Sequence, residues 1–131
     1  MRLLLDTHVW LWSTLEPERL GRRAREALCD AHAELWISPI SVWEAALLFE
    51  RGRLTTKGDR DVAIDQLLHA VPAREAPLTY EVAKLSCRVD LPHRDPADRF
   101  LVASALAHGL TLVTADQRLL VNPACEVLSA Q

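Results

Sequence analysis

The sequence predicts an α/β fold in which a parallel sheet is covered by helices on both faces. Short apolar runs at Arg2–Leu5, Leu35–Ile37 and Thr111–Thr114 each give way to a segment of helical spacing. Two of the intervening helices announce their starts, with Ser38-Pro39 and Asp95-Pro96. Strands that alternate with helices imply parallel pairing through right-handed crossovers.

The first run, Arg2-Leu3-Leu4-Leu5, is short and stops at Asp6, where a differently patterned segment begins. That context marks a strand, although so short an apolar run cannot by itself be told from a helix fragment. Asp6 then stands at the carboxyl end of the strand, where open α/β sheets gather ligands. Thr7 to Leu15 reads as a helix with Thr7 near its cap, punctuated by Glu16-Pro17. Leu20, Ala24, Ala27, Leu28 and Ala31 recur at helical steps while the arginines fall mostly elsewhere, an amphipathic helix with one stripe on the core.

After the strand Leu35–Ile37, Ser38 can cap free amides and Pro39 is tolerated at the first helical position. The helix runs to about Phe49 and places Ile40, Trp43, Glu44, Leu47 and Leu48 on one stripe. Glu50 to Asp61 turns polar and reads as a loop. Asp61 to Ala70 recovers helical spacing, and the two prolines between Val71 and Leu78 leave room for a short edge strand near Arg74 to Ala76. Thr79 caps a helix carrying Val82, Leu85 and Val89, ended by Leu91-Pro92. Asp95-Pro96-Ala97-Asp98 opens a further helix that Gly109 stops. Thr111–Thr114 is a strand, Asp116 begins a short helical turn with Leu119 and Leu120, and Cys125–Leu128 is a last strand.

The bulk properties narrow the class. Residues 1–131 are expected to form one domain, long enough to bury roughly two thirds of the unfolded surface. With 50% hydrophobic and 25% charged residues the chain is globular. No apolar run approaches the ~20 residues of a membrane span, and no signal-peptide pattern opens the sequence, so a cytoplasmic protein without a membrane partner is expected. Cys29, Cys87 and Cys125 are too scattered for a disulfide framework or zinc ribbon. His8, His32, His69, His93 and His108 form no helical i, i+4 pair and are read as surface or packing residues. A net charge of −3 argues against a broad DNA-gripping face. It leaves room for local cation clusters at Arg19, Arg22, Arg23 and Arg25 and at Arg51, Arg53 and Lys57, for which solvated faces are at least as good an account. Trp10, Trp12, Trp36 and Trp43 could feed an interface, but core packing is expected for most of them.

Four acids stand out. Asp6 and Asp116 follow strands, while Glu44 and Asp98 lie in the first turns of helices, so all four can share one rim of a parallel sheet. Two carboxylates about 5 Å apart at an effective dielectric near 20 repel by roughly 3 kcal/mol. Either a proton or a cation must relieve that. An all-oxygen donor set suits Mg²⁺ or Mn²⁺, and the chemistry it favours is phosphodiester hydrolysis by a metal-activated water. Each acid also has a structural account. Asp98 suits the third helical position, Asp95 is a better helix cap, and Asp116 and Asp6 could cap turns. Glu44 has the weakest such account, since an unpaired acid in an apolar stripe is expensive.

The sequence resembles the PIN-domain ribonucleases of the VapC toxin type. The resemblance rests on Leu-Leu-Leu-Asp6-Thr-His, on Ser-Val-Trp-Glu44, on His93-Arg-Asp-Pro-Ala-Asp98-Arg-Phe-Leu-Val-Ala and on Leu-Val-Thr-Ala-Asp116, in family order across nearly the whole chain. It implies a three-layer α/β/α sandwich with a central parallel sheet. It further implies that Asp6, Glu44, Asp98 and Asp116 hold one or two divalent ions, Mg²⁺ or Mn²⁺, for RNA cleavage, with Asp98 matched in preference to Asp95. Members commonly pair as homodimers, and a VapB-like antitoxin that blocks the site is the implied partner.

Two other readings compete. One is a non-catalytic PIN-like module that binds RNA or a protein, which a lost acid would favour; none of the four is lost. The other is an acid-pocket phosphatase, disfavoured because Asp6-Thr7-His8 lacks a second aspartate two residues on.

Overall fold

The computed structural model describes every residue of the chain except His93 and Asn122. The expectations attached to His93, as a packing histidine and as the head of the His93–Asp98 motif, therefore lie outside the described residues.

Leu3, Leu4 and Leu5 are wholly buried, which requires a strand with neighbours on both edges and cover on both faces. That strand, β1 (Arg2–Leu5), is the middle of a five-stranded sheet. On one side lie β2 (Glu34–Ile37) and then β3 (Ala73–Glu75); on the other lie β4 (Thr111–Thr114) and then β5 (Val127–Ser129). Every pair is parallel. The sheet grows outward from β1 in one direction, and the chain then returns to start again on its other edge. The reversal falls between β1 and β4, and in such sheets the crevice at the carboxyl ends of the reversing strands is where ligands bind.

Side chains alternate across the sheet and divide the core in two. Leu3, Leu5, Leu35, Ile37 and Val113 face one side, under α1 (Thr7–Leu15), α2 (Arg22–Cys29), α3 (Pro39–Glu50) and α4 (Arg60–His69). Leu4 and Leu112 face the other, with Val82 of α5 (Tyr80–Ser86), Leu101 and Val102 of α6 (Pro96–His108) and Leu119 of α7 (Gln117–Val121). The three layers are those the resemblance implies. Trp10 is fully buried and its indole N–H donates to the Leu67 carbonyl at 3.1 Å, so the ring fills the core without leaving a polar atom unpaired. Trp43 departs from the expected core packing, being 50% exposed.

The capping chemistry largely follows the sequence. Ser38 accepts from the Ile40 amide at 3.0 Å with Pro39 at the first position of α3, and Thr79 accepts from the Val82 amide at 3.2 Å. Gly109 ends α6 in the left-handed conformation (φ 64°). Other boundaries shift. The second helix begins at Arg22, not Leu20, because a 3-10 turn at Pro17–Arg19 delivers Leu20 to the core in extended form. The helix α5 stops at Ser86, yet Val89 and Leu91 are buried all the same. The edge strand covers Ala73–Glu75 instead of Arg74–Ala76, and the last strand covers Val127–Ser129 instead of Cys125–Leu128. All three cysteines are free, and no described helix is long and apolar enough to cross a membrane.

Candidate active site

Each of the four acids reaches the carboxyl rim of the sheet by a different route. The β1–β4 ladder continues one residue past the strand, where the Asp6 amide donates to the Val113 carbonyl at 3.0 Å. Asp6 is thereby set beside the end of β4. It is also the cap of α1: Oδ1 accepts from the Thr7 amide at 2.7 Å, while Oδ2 accepts from the Thr114 hydroxyl at 2.6 Å. Thr114 Oγ1 in turn accepts from the Asp116 amide at 3.0 Å. One buried hydroxyl thus ties Asp6 to the loop that carries Asp116.

Glu44 projects from α3 towards the start of α1, where the Thr7 hydroxyl donates to its Oε1. Thr7 Oγ1 also lies 2.8 Å from Ser41 Oγ. A threonine has one hydroxyl proton, and a carboxylate can only accept, so that proton serves Glu44 and the serine supplies the other bond. Asp98 occupies the third position of α6 and is 7% exposed; Asp95 is the cap, accepting from the Ala97 amide at 3.0 Å. Asp116 likewise caps its turn, accepting from the Arg118 amide at 2.9 Å.

The electrostatics show that these groups act on one another. Burial pushes the Asp6 carboxyl above the ordinary carboxylate range, Thr114 and the Thr7 amide pull it back, and the Asp116 charge adds to the rise. Glu44 is also raised, first by burial and then by the charges of Asp6, Asp95 and Asp98, against the Thr7 hydrogen bond. Arg118 meets the remaining acids. Its Nη2 lies 2.9 Å from Asp116 Oδ2, 3.3 Å from Asp98 Oδ2 and 4.0 Å from Asp95 Oδ2, and its Nε lies 3.2 Å from Asp116 Oδ1.

The donors are all carboxylate oxygens, the chemistry of a hard divalent ion. Two of them carry raised proton affinity, which a cation would reverse. The donor set therefore fits such an ion. Among the described residues, however, no three acids, imidazoles or thiols already stand in position to share one, and a guanidinium bridges Asp98 and Asp116.

A hollow of about 220 Å³ opens beside the rim, lined by Thr7, His8, Trp43, Glu44, Arg51 and Asp95. A larger one, of about 700 Å³ among Ile37, Val42, Leu68, Val71 and Arg74, contains none of the four acids. We take the smaller hollow as the relevant one, because Glu44, the Asp95 cap of α6 and the Thr7 that holds Glu44 line it. Sequence reasoning passed over Thr7 and Thr114 as holders of carboxylates, and over Arg118 altogether. The Thr114-Ala-Asp116 and Asp116-Gln-Arg118 spacings were the only signals for two of them.

A parallel sheet ordered in this way, with acids gathered where the strand order reverses, defines an α/β protein with a candidate acidic centre, and residues 3–123 match the PIN domain family, to which the chain belongs. Its sequence is 39% identical over 120 residues to Ribonuclease VapC22 of Mycobacterium tuberculosis, covering 89% of this chain and 88% of that protein. Among solved structures, the backbone is similar to VapBC2 from Rickettsia felis bound to a DNA fragment from its promoter (TM-score 0.74, 14% identity, 100% of both chains). It is also similar to DNA-bound VapBC from Salmonella typhimurium (TM-score 0.71, 18% identity, 100% of this chain and 99% of that one). At those identities the likeness is one of fold.

Proposed function

We propose that this chain is a divalent-metal-dependent endoribonuclease and the toxin of a VapBC-type pair, with Asp6, Glu44, Asp98 and Asp116 as the residues that would hold Mg²⁺ or Mn²⁺. The observation that carries the reading is the gathering of these acids, from four separate segments, at the reversal point of the sheet in a PIN-domain chain. The identity to a protein named as a ribonuclease supports the substrate class. A bound divalent ion would supply an activated water and charge to offset the departing oxygen of a phosphodiester.

The chain's own residues have definable parts. Thr114 and the Thr7 amide fix both oxygens of Asp6, and the Thr7 hydroxyl aims Glu44, so two half-buried carboxylates are oriented by the chain itself. The hollow at Trp43 and Arg51 accommodates the RNA strand, with an exposed indole for a base and a guanidinium for a phosphate. The likeness to VapBC structures supports a VapB-like antitoxin as partner, and pairing of the toxin as a homodimer belongs to the same reading. No described helix is long and apolar enough to cross a membrane, and a cytoplasmic setting belongs to the same reading.

One observation favours the alternative, a non-catalytic PIN-like module that binds RNA or a protein: the acids do not yet form a ready-made three-ligand cluster. RNA cleavage assays with Mg²⁺ or Mn²⁺ decide between them. Asp6→Asn and Asp98→Asn are expected to abolish cleavage with the circular dichroism spectrum unchanged, and excess chelator is expected to stop the unaltered protein. Full cleavage in chelator would overturn the metal role, and RNA binding without cleavage would establish the module.

A further inference from the structure

The arginine at the rim is placed as a substitute ion. Arg118 approaches Asp116 through two nitrogens, at 2.9 and 3.2 Å, the forked geometry in which guanidinium and carboxylate match best. The same Nη2 reaches Asp98 at 3.3 Å and stands 4.0 Å from Asp95. One positive charge therefore faces three carboxylates from two elements, α6 and the start of α7.

The burial on the two sides of these pairs is unequal. The Asp98 side chain is 10% exposed, and an ionised acid so placed gains more from an adjacent cation than an exposed one does. The Arg118 side chain is 53% exposed and rides on a helix of only five residues, so it can swing into solvent without crossing the core. Asp98 is therefore the acid that gains most from a charge in that position, whereas the guanidinium has water as an alternative. A single arginine also leaves the rim negative, since Asp6 and Glu44 are held by the neutral groups of Thr7 and Thr114. The field that attracts a divalent cation persists with the arginine in place.

We propose that Arg118 is a built-in countercation, which holds Asp98 and Asp116 while the rim is free of metal and is displaced when a divalent ion enters. This rests on the metal reading given under the proposed function. It assigns Arg118 to positioning and ion exchange and gives it no step in the chemistry. It also accounts for the lack of a ready-made ligand cluster among the described residues, because the acids are arranged around a guanidinium.

The test is Mn²⁺ titration calorimetry with thermal melting, on the unaltered chain, Arg118→Gln, Arg118→Lys and Arg23→Gln. The last makes the same change of net charge at an exposed position on α2. Exposed ion pairs are individually weak, so the loss of several is expected to tighten Mn²⁺ binding by about tenfold in Arg118→Gln. Arg118→Lys, which keeps the charge and loses the fork, is expected to fall between, and Arg23→Gln to match the unaltered chain. Without metal, Arg118→Gln is expected to melt lower than the unaltered protein, and saturating Mn²⁺ to close the gap. Equal or weaker Mn²⁺ binding in Arg118→Gln, with uptake intact in the unaltered chain, would overturn the role of Arg118 alone. No uptake by any of the four proteins would overturn the metal reading and this proposal with it.

Discussion

The Thr114 hydroxyl donates to Asp6 Oδ2 across 2.6 Å, joining the ends of two neighbouring strands that the chain makes 108 residues apart. Thr114 is fully buried, so its oxygen has no exchange with bulk water, and its two bonds, to Asp6 and from the Asp116 amide, are fixed together. Two of the four acids thus owe their placement to one neutral side chain.

Replacing that residue by its closest apolar isostere isolates the effect. Thr114→Val keeps the shape and removes the donor, leaving a half-buried carboxylate oxygen without that bond at a cost of about 1 kcal/mol. Urea unfolding at neutral pH is expected to show that loss. Since Thr114 draws the Asp6 proton affinity down, its removal is expected to move the acid limb of RNA cleavage to higher pH. A pH–rate profile identical to that of the unaltered chain would show that the hydroxyl does not tune Asp6.

The raised carboxyls give the metal-free protein a particular pH dependence. Asp6 and Glu44 bind protons more tightly folded than unfolded, so the folded state carries the larger share of protons between the two affinities. Their contribution is fully present below the unfolded value, about pH 4, and is lost as pH rises through the folded value. Asp6→Asn removes one of these groups. Its melting temperature without metal is expected to exceed that of the unaltered chain at neutral pH, with the difference vanishing near pH 4. A lower melting temperature at neutral pH would contradict the assigned direction.

Trp43 offers a readout of substrate approach separate from the acids. Its ring is half exposed on the wall of the hollow that contains Glu44, and stacking of a base on such a ring contributes roughly 1–3 kcal/mol. Trp43→Ala is expected to raise KM for single-stranded RNA by about tenfold or more, with kcat and melting temperature little changed. Unaltered KM would place the strand elsewhere on the rim.

Much of this arrangement was legible in the chain because it is local. Asp6 follows a wholly apolar run, Ser38-Pro39 and Asp95-Pro96 open their helices, and Gly109 closes one with a left-handed residue. These features depend on neighbours a few residues away. The parts that escaped are tertiary. Nothing near Thr7 in sequence shows that its hydroxyl meets Glu44, and nothing near Arg118 shows that Asp98, twenty residues earlier, waits beside it. Periodicity reported burial more faithfully than conformation. Leu20, Val89 and Leu91 belong to the core though none lies in the helix that their spacing suggested. The last strand slipped because its pairing starts where the Leu112 amide takes the Glu126 carbonyl, a contact set by β4.

The position of β1 between β2 and β4 bears on the timing of synthesis. Asp6 is made 108 residues before its Thr114 partner, and Asp116 follows later still. A growing polypeptide that ends before β4 has one edge of its central strand bare and lacks both Asp116 and the Thr114 hydroxyl that holds Asp6. Elongation itself therefore postpones assembly of the centre until β4 and the loop after it have been made.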